Sequence, residues 1–198
     1  MLPNDIIKKI NNKASLKIDL GCGPNKLEGF IGIDRISLTN VDIVSDVLEG
    51  LRLFPDNSVN EINARSLLEH VDNLEKIMDE VWRVLKKNCK FHVFVPHFSN
   101  PYFYSDYTHT KFMGLYTFMY FSEQNIFQRK VPSFYNKNKF RITKLKLIFD
   151  SPFRLRRIIK KIFEWLFNLT PSMQELYEEN FTYLIPCYAI EIDLIPSK

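Results

Sequence analysis

Three aspartates and two glycines near the start of the chain have side-chain types and spacing that could bind a ligand. Asp19 is followed by Gly21 and Gly23, which flank one residue and allow a tight turn with close approach of a ligand to bare backbone. Asp34 lies 15 residues after Asp19. An acid in that place can accept two hydrogen bonds from a ribose diol. Asp46 precedes two apolar residues, which suits the amino group and ring face of adenine.

Short apolar runs predict the strands that must position these side chains. The predicted strands are residues 16–20, 30–34, 41–44, 59–64 and 91–95. A helix is predicted over 73–87, with Asp72 as N-cap and Glu75 three residues later. This alternation is typical of a parallel sheet flanked by helices, in which ligands bind beyond the carboxyl ends of the strands. The three aspartates should therefore line one rim of one sheet.

Two nucleoside cofactors compete for such a rim. The dinucleotide pattern G-x-G-x-x-G requires a third glycine at position 26, where this chain has Lys26. An acid just before the glycines, Asp19, suits instead a cationic amino-acid tail. The combination favours S-adenosylmethionine over NAD. An NAD-dependent oxidoreductase or epimerase remains the alternative within enzymes, although the chain contains no Tyr-x-x-x-Lys pair.

The motifs of the first half of the chain resemble those of the class I methyltransferases, and most closely those of the type 11 methyltransferase family. The residues that carry the resemblance are Leu16 to Pro24, Asp34, Ser45 to Val47, Phe54 to Val59 and Ser66 to Val71. They span about residues 15–98. The resemblance implies a Rossmann-like α/β fold, a seven-stranded, mostly parallel sheet with helices on both faces and an antiparallel last strand. Residues 140–149 and 188–195 are the candidates for the last two strands.

The resemblance also implies a role for each matching residue. The loop from Gly21 to Gly23 and the carbonyl near Ser66 would hold the methionine part of the cofactor, Asp34 the ribose, and Asp46 with Val47 the adenine. The full set of expected cofactor-binding residues is Asp19, Gly21, Cys22, Gly23, Asp34, Arg35, Asp46, Val47, Ser66, Leu67 and His70.

A second stretch, residues 95–109, is similar to a Pro-His-Phe…Ser-Asp-Pro-Thr-His pattern found in a bacterial and archaeal subset of these enzymes. Tyr107 stands where the subset has proline. Methyl transfer to oxygen or an ammonium-type nitrogen needs a base. His97 or His109 is the predicted base and Asp106 the residue that orients it. The same three residues could instead hold a metal, and the loop could simply be fixed by buried hydrogen bonds. The aromatic residues of 102–121 could form an acceptor lid or pack in the core.

Positive charge is concentrated in one block. Residues 129–161 contain 12 Lys or Arg and one acid, Asp150, whereas the whole chain has a net charge of +4. Within it, Ser151 and Pro152 predict a helix start. The segment 153–169 that follows is amphipathic, with basic residues opposite Trp165 and several Phe, Ile and Leu side chains. It fits a helix in a membrane interface, a helix packed between the last two strands, or a dimer contact.

Composition sets the remaining expectations. The chain has 198 residues, 45% hydrophobic and 25% charged, which predicts one globular domain, 1–198. Its parts would be an N-terminal helix (1–14), a cofactor-binding core (15–98), and acceptor-side loops, basic helix and last strands (99–198). Three dispersed cysteines and the lack of a signal-peptide pattern predict a cytoplasmic protein without a metal site. The expected partner is a small-molecule, glycan or lipid-linked acceptor, and not nucleic acid. The alternative outside enzymes is a cofactor-binding adaptor.

Overall fold

The strands of the chain form a single seven-stranded sheet. In this computed structural model, residues 3–12 and 15–198 are described. The strands are β1 Leu16–Leu20, β2 Ile31–Asp34, β3 Ile43–Val44, β4 Val59–Arg65, β5 Leu85–Pro96, β6 Phe140–Ile148 and β7 Ala189–Pro196. Their order is β3-β2-β1-β4-β5-β7-β6, and β7 runs antiparallel to both of its neighbours. The predicted Rossmann-like sheet, mostly parallel with an antiparallel last strand, is confirmed.

Five α-helices accompany the strands in the described part of the chain. They are α1 Asn4–Asn11, α2 Val47–Arg52, α3 Leu74–Val84, α4 Arg154–Phe167 and α5 Pro171–Asn180. The helix expected over 1–14 corresponds to α1, and residues 1, 2, 13 and 14 lie outside the described residues. The core lies between the sheet and its helices, because β1, β4 and β5 bury their apolar side chains almost completely.

The strand register brings the ends of β1, β2 and β4 to one rim. Leu20 pairs with Ile33 on one side and with Ala64 on the other. The residues that follow these strand ends, Gly21 and Ser66, therefore lie side by side with Asp34 at the end of β2. This parallel register is the reason that polar groups following different strands meet at one edge of the sheet.

Helix α3 differs from its prediction at both ends. It ends at Val84, three residues before the predicted end, because Leu85 adopts an extended conformation and begins β5. Its N-cap is Asn73, whose side chain accepts a hydrogen bond from the Lys76 backbone N–H at 3.0 Å. Asp72 was predicted as this cap and lies one residue too early. Asn73 and Asp72 are both good capping types, so residue type alone does not separate them.

Helix α4 presents its apolar face to solvent. It begins at Arg154 rather than Pro152, with Phe153 at the N-cap and no side-chain capping bond. Glu164 and Phe167 are its buried residues. The inner side combines the polar Glu164 with the aromatic Phe163 and Phe167, so only part of the apolar face expected over 153–169 packs against the rest of the fold. Across the described ranges, the structure contains no helix with the length and apolar character needed to cross a bilayer.

Candidate functional site

The turn after β1 is built from glycine for a steric reason. Gly21 has φ +61°, and its N–H donates to the Ile33 carbonyl at 2.8 Å. A Cβ at this position would lie 2.7 Å from Cδ1 of Leu67. Gly23 also has positive φ, but a Cβ there would meet nothing within 4 Å. The turn is therefore fixed on its Leu67 side and open at Gly23, which leaves backbone accessible to a ligand.

Asp34 ties this turn to the end of β2. Its Oδ2 accepts from Gly23 N–H and its Oδ1 from Ile36 N–H, both at 2.9 Å. A carboxylate has about four lone-pair directions, so the group keeps acceptor capacity for a diol. Asp46 caps α2, with Oδ1 accepting from Leu48 N–H at 2.9 Å. Two anchored carboxylates thus stand on one rim.

A cavity of about 470 Å³ opens between these groups. It is lined by eight of the eleven expected cofactor residues, namely Gly21, Asp34, Arg35, Asp46, Val47, Ser66, Leu67 and His70. Asp34 has acceptor oxygens suited to a ribose, and Asp46 with the apolar Val47 suits an adenine. The open glycine turn leaves space beside them. The residues present are therefore suited to S-adenosylmethionine, whose sulfonium and amino-acid tail would lie toward Gly21 and Ser66.

Asp19, Cys22 and Gly23 lie outside the lining of this cavity. Asp19 is buried, and its two oxygens accept from the Asn63 side chain at 2.6 Å and from Leu27 N–H at 2.9 Å. Burial, together with Asp19 and Asp34, raises the pKa of the Cys22 thiol to about 11, so the thiol is protonated at neutral pH. All three cysteines are free.

A second cavity, of about 590 Å³, adjoins the first. Ser66 and His70 line both cavities. Ser66 has φ +50°, a left-handed conformation that is uncommon for serine and that clusters at functional sites. The second cavity is lined further by the 102–109 loop and by residues 150–152 with Arg157. The two cavities therefore share a border at Ser66 and His70.

Glu69 is the buried acid of the second cavity. Its side chain is 1% exposed, and Oε2 has no hydrogen-bond partner among the described residues. Burial, with a smaller contribution from the negative charge of Asp106, raises the pKa of Glu69 to about 7. Sequence reasoning placed Glu69 only inside a family motif. Glu69 lies four residues after the end of β4, and nothing in the sequence around it distinguishes it from a structural acid.

Two histidines face each other beside Glu69. The ring centroids of His70 and His109 are 4.8 Å apart. His109 Nδ1 lies 2.8 Å from the Phe103 carbonyl, and His70 Nδ1 lies 3.2 Å from the Thr108 carbonyl. A carbonyl only accepts, so both Nδ1 atoms carry the proton and both Nε2 atoms keep a lone pair in the neutral rings.

Each of these free nitrogens lies near a carboxylate. His70 Nε2 is 3.9 Å from Glu69 Oε1, and His109 Nε2 is 3.6 Å from Asp106 Oδ2. Asp106 is held by the hydroxyl and the backbone N–H of Thr108, which lower its pKa together with the two histidines. The structure therefore brings the predicted residues His109 and Asp106 together, and adds His70 and Glu69 to them.

His97 lies elsewhere. Its side chain is fully buried, its Nδ1 accepts from Ser99 N–H at 3.1 Å, and its Nε2 donates to Glu178 at 2.9 Å. Both ring nitrogens are thus engaged, and His97 does not line the second cavity. A metal set of His97, Asp106 and His109 is not assembled. Within residues 3–12 and 15–198, the one group of three potential ligands is Glu69, His70 and His109, within 4.8 Å of one another.

Comparisons with known proteins give a domain match over part of the chain and a shared fold. Residues 33–93 match the model of a methyltransferase domain, type 11. No curated protein is significantly similar to the chain in sequence. A methyltransferase from Archaeoglobus fulgidus that depends on S-adenosylmethionine has a similar structure, with TM-score 0.61 and 17% identity over 96% of this chain and 90% of that one.

Two further solved structures share the fold. One is a Mesorhizobium loti methyltransferase dependent on S-adenosylmethionine, with TM-score 0.53 and 10% identity over 95% and 96% of the two chains. The other is a Haloferax volcanii methyltransferase in complex with the activator Trm112, with TM-score 0.55 and 12% identity over 93% and 83%. The domain match over residues 33–93 and the shared fold are those of a methyltransferase that uses S-adenosylmethionine, and the rim at the ends of β1, β2 and β4 has residues suited to that cofactor.

Proposed function

We propose that the enzyme methylates an oxygen or nitrogen of a small-molecule, sugar or lipid-linked acceptor bound in the second cavity. The observation that supports this proposal is the shared border of the two cavities at Ser66 and His70. S-adenosylmethionine supplies an electrophilic methyl group on a sulfonium, and the protein aligns the acceptor for in-line displacement. The reacting acceptor atom would lie beside His70.

The wall of the second cavity suits an acceptor with polar groups and an apolar part. Tyr102, Phe103 and Phe94 supply aromatic surface, and Phe103 is itself buried. Arg157 and Asp150 form an ion pair at 2.8 Å at the other side. Aromatic side chains around the reacting atoms exclude water, and the polar groups orient the acceptor.

The facing histidines are suited to take up the proton that an O–H or N–H acceptor loses. His70 Nε2 is the first candidate because His70 borders both cavities. Protonation there would place a positive ring 3.9 Å from Glu69 Oε1. His109 with Asp106 is the second pair, and His97 is set apart from both by its buried hydrogen bonds. General-base assistance of this kind contributes about 10²–10⁴-fold in rate.

The test is turnover with labelled S-adenosylmethionine and a fractionated cell extract as the source of acceptor. We expect His70→Asn and His109→Asn to lower kcat, by about 100-fold for the more important residue. Calorimetry with S-adenosylmethionine should show unchanged affinity for His109→Asn, which lies outside the first cavity. His92→Asn is the matched control, since His92 pairs with Asp193 on β7, away from the cavities.

Full rates in both variants would overturn the base assignment. A wild-type protein that binds S-adenosylmethionine and methylates no fraction would favour the adaptor instead. Loss of turnover on adding EDTA, restored by a divalent cation, would show that turnover needs a metal, for which Glu69, His70 and His109 are the candidate ligands, and would overturn the base assignment.

Glu69 gives a separate pH prediction. Its pKa is about 7 in the folded state against an ordinary value of 4.5, so the ionised carboxyl disfavours folding. The cost is absent below the unfolded pKa, grows as pH rises from there, and is complete above pH 7. We expect Glu69→Gln to raise the free energy of unfolding by about 3 kcal/mol at pH 8.5 and by little at pH 4.5. Denaturant titrations at the two pH values check this, and an equal effect at both would show that Glu69 is not buried as an acid.

A further inference from the structure

The outer side of α4 is a continuous apolar surface, which we name the α4 stripe. Its members lie on one side of the helix or just past its end and are 51–79% exposed: Leu155, Ile158, Ile159, Ile162, Trp165 and Leu169. Tyr183 and Leu184 are also exposed and lie in the loop that Lys160 anchors through the Pro186 carbonyl. A soluble helix normally turns such a stripe toward the core, so its exposure indicates a partner.

The orientation of α4 is fixed by specific contacts on its inner side. Glu164 accepts from the Phe149 backbone N–H at 2.9 Å and pairs with Lys146 at 2.9 Å. Phe167 packs against Tyr177 with ring centroids 5.0 Å apart. Rotating the helix to bury the α4 stripe would break these buried bonds and leave Phe149 N–H without a partner. The apolar side therefore faces outward as a consequence of the fold.

The charges around the α4 stripe select an anionic partner. Helix α4 contains five cations, Arg154, Arg156, Arg157, Lys160 and Lys161, and one acid, Glu164, which is 7% exposed. Arg157 pairs with Asp150 and Lys161 with Glu164, so Arg154 and Arg156 supply most of the available positive charge. A second copy docking on the same surface would bring two sets of cations together, which opposes a symmetric dimer. The partner must accept both the apolar side chains of the α4 stripe and the cations of α4. A bilayer with anionic headgroups does so, because its negatively charged surface covers an apolar interior.

We propose that α4 lies in the interface of an anionic membrane, with the α4 stripe among the acyl chains and its cations at the headgroups. This inference deepens the proposed function, and its conclusion about the acceptor rests on that function. Pro152 and Arg157, at the start of α4, line the second cavity. Docking would place the mouth of that cavity at the membrane surface, so the acceptor is the headgroup of an amphiphile.

Vesicle sedimentation tests the docking step without any turnover. We expect the purified protein to bind vesicles of phosphatidylcholine and phosphatidylglycerol, and to bind phosphatidylcholine alone at least tenfold more weakly. The double variant Ile158→Glu with Ile162→Glu should abolish binding. Arg156→Gln should weaken binding to the anionic vesicles about fivefold, the value of one basic residue near such a surface. Val44→Glu, on the opposite edge strand β3, is the matched control and should bind as the wild type.

Several results would overturn the docking proposal. They are absence of binding to anionic vesicles, equal binding to neutral ones, retained binding by the double variant, and a dimer in analytical ultracentrifugation that the double variant dissociates. Calorimetry with S-adenosylmethionine on the double variant keeps the two proposals apart, because docking can fail while cofactor binding remains intact. Methyl label from isolated membranes should partition into the organic phase, and label found only in aqueous products would overturn the lipid acceptor.

Discussion

Helices α3 and α4 have the same amphipathic pattern and opposite orientations. In α3, the apolar residues at helical spacing, Ile77, Met78, Val81 and Val84, are buried against the sheet. In α4 the corresponding residues form the exposed α4 stripe, and the buried residues are Glu164 and Phe167. Amphipathic spacing therefore predicts that a helix forms, and does not predict which side the protein covers.

The difference arises from what each helix meets. Helix α3 lies over the apolar side chains of the sheet and contacts α2, so its apolar side gains burial. Helix α4 meets backbone groups at the end of β6, where the Phe149 N–H and the Leu147 N–H need acceptors. Glu164 and Asn168 satisfy them, because a buried N–H without a partner is costly. Glu164 therefore turns inward together with Phe167, and the α4 stripe faces outward.

The first prediction compares one apolar residue from each helix. Val81→Asp should lower the free energy of unfolding by about 3–5 kcal/mol, because it places an unpaired carboxylate at a fully buried position. Ile158→Asp should change it by no more than about 0.5 kcal/mol, because Ile158 is exposed. Urea unfolding followed by circular dichroism gives both values. A large loss from Ile158→Asp would mean that the α4 stripe is covered in the folded protein.

The second prediction compares one acid from each helix. Burial raises the pKa of Glu164, but hydrogen bonds from Lys161, Phe149 N–H and Lys146 outweigh it and leave the pKa below its usual value. Glu164→Ala should cost about 2–3 kcal/mol at pH 7, because it leaves Phe149 N–H unpaired. Glu75→Ala, on the exposed side of α3, should cost less than about 0.5 kcal/mol.

The pH dependence sharpens this comparison. A depressed folded pKa stabilises the protein above the unfolded pKa, and that stabilisation is lost as pH falls through the folded pKa. The difference between wild type and Glu164→Ala should therefore shrink below about pH 4.5. A difference that stays constant down to pH 3 would show that Glu164 acts by packing rather than by its charge.

Sequence reasoning located the cofactor rim because local order determines it. Successive strands of a parallel sheet end at one edge, so Asp34 and Asp46 were placed together by their positions after β2 and β3. The second cavity could not be located in the same way. It joins Glu69, the 102–109 loop and Arg157, residues distant along the chain that meet only after β6 and β7 complete the sheet.

His97 shows most clearly what the sequence could not predict. It follows a strand end, as the cofactor residues do, and was for that reason one of the two predicted bases, with His109 as the other. Its partner Glu178 lies on α5, a helix that the sequence pattern did not indicate. Pro171 and Thr170 are good helix-start residues, but the apolar spacing of α5 is weak. Without that helix, neither the burial of His97 nor its hydrogen bond could be expected.

The smallest expected effect concerns how the two helices begin. Helix α3 has a side-chain cap at Asn73, whereas α4 begins at Phe153 without one. Asn73→Ala should cost about 1 kcal/mol, because the Lys76 N–H loses its acceptor. Asp72→Ala, the cap that the sequence predicted, should cost less than half as much. Thermal unfolding of both variants decides between them, and a larger loss for Asp72→Ala would place the start of α3 one residue earlier.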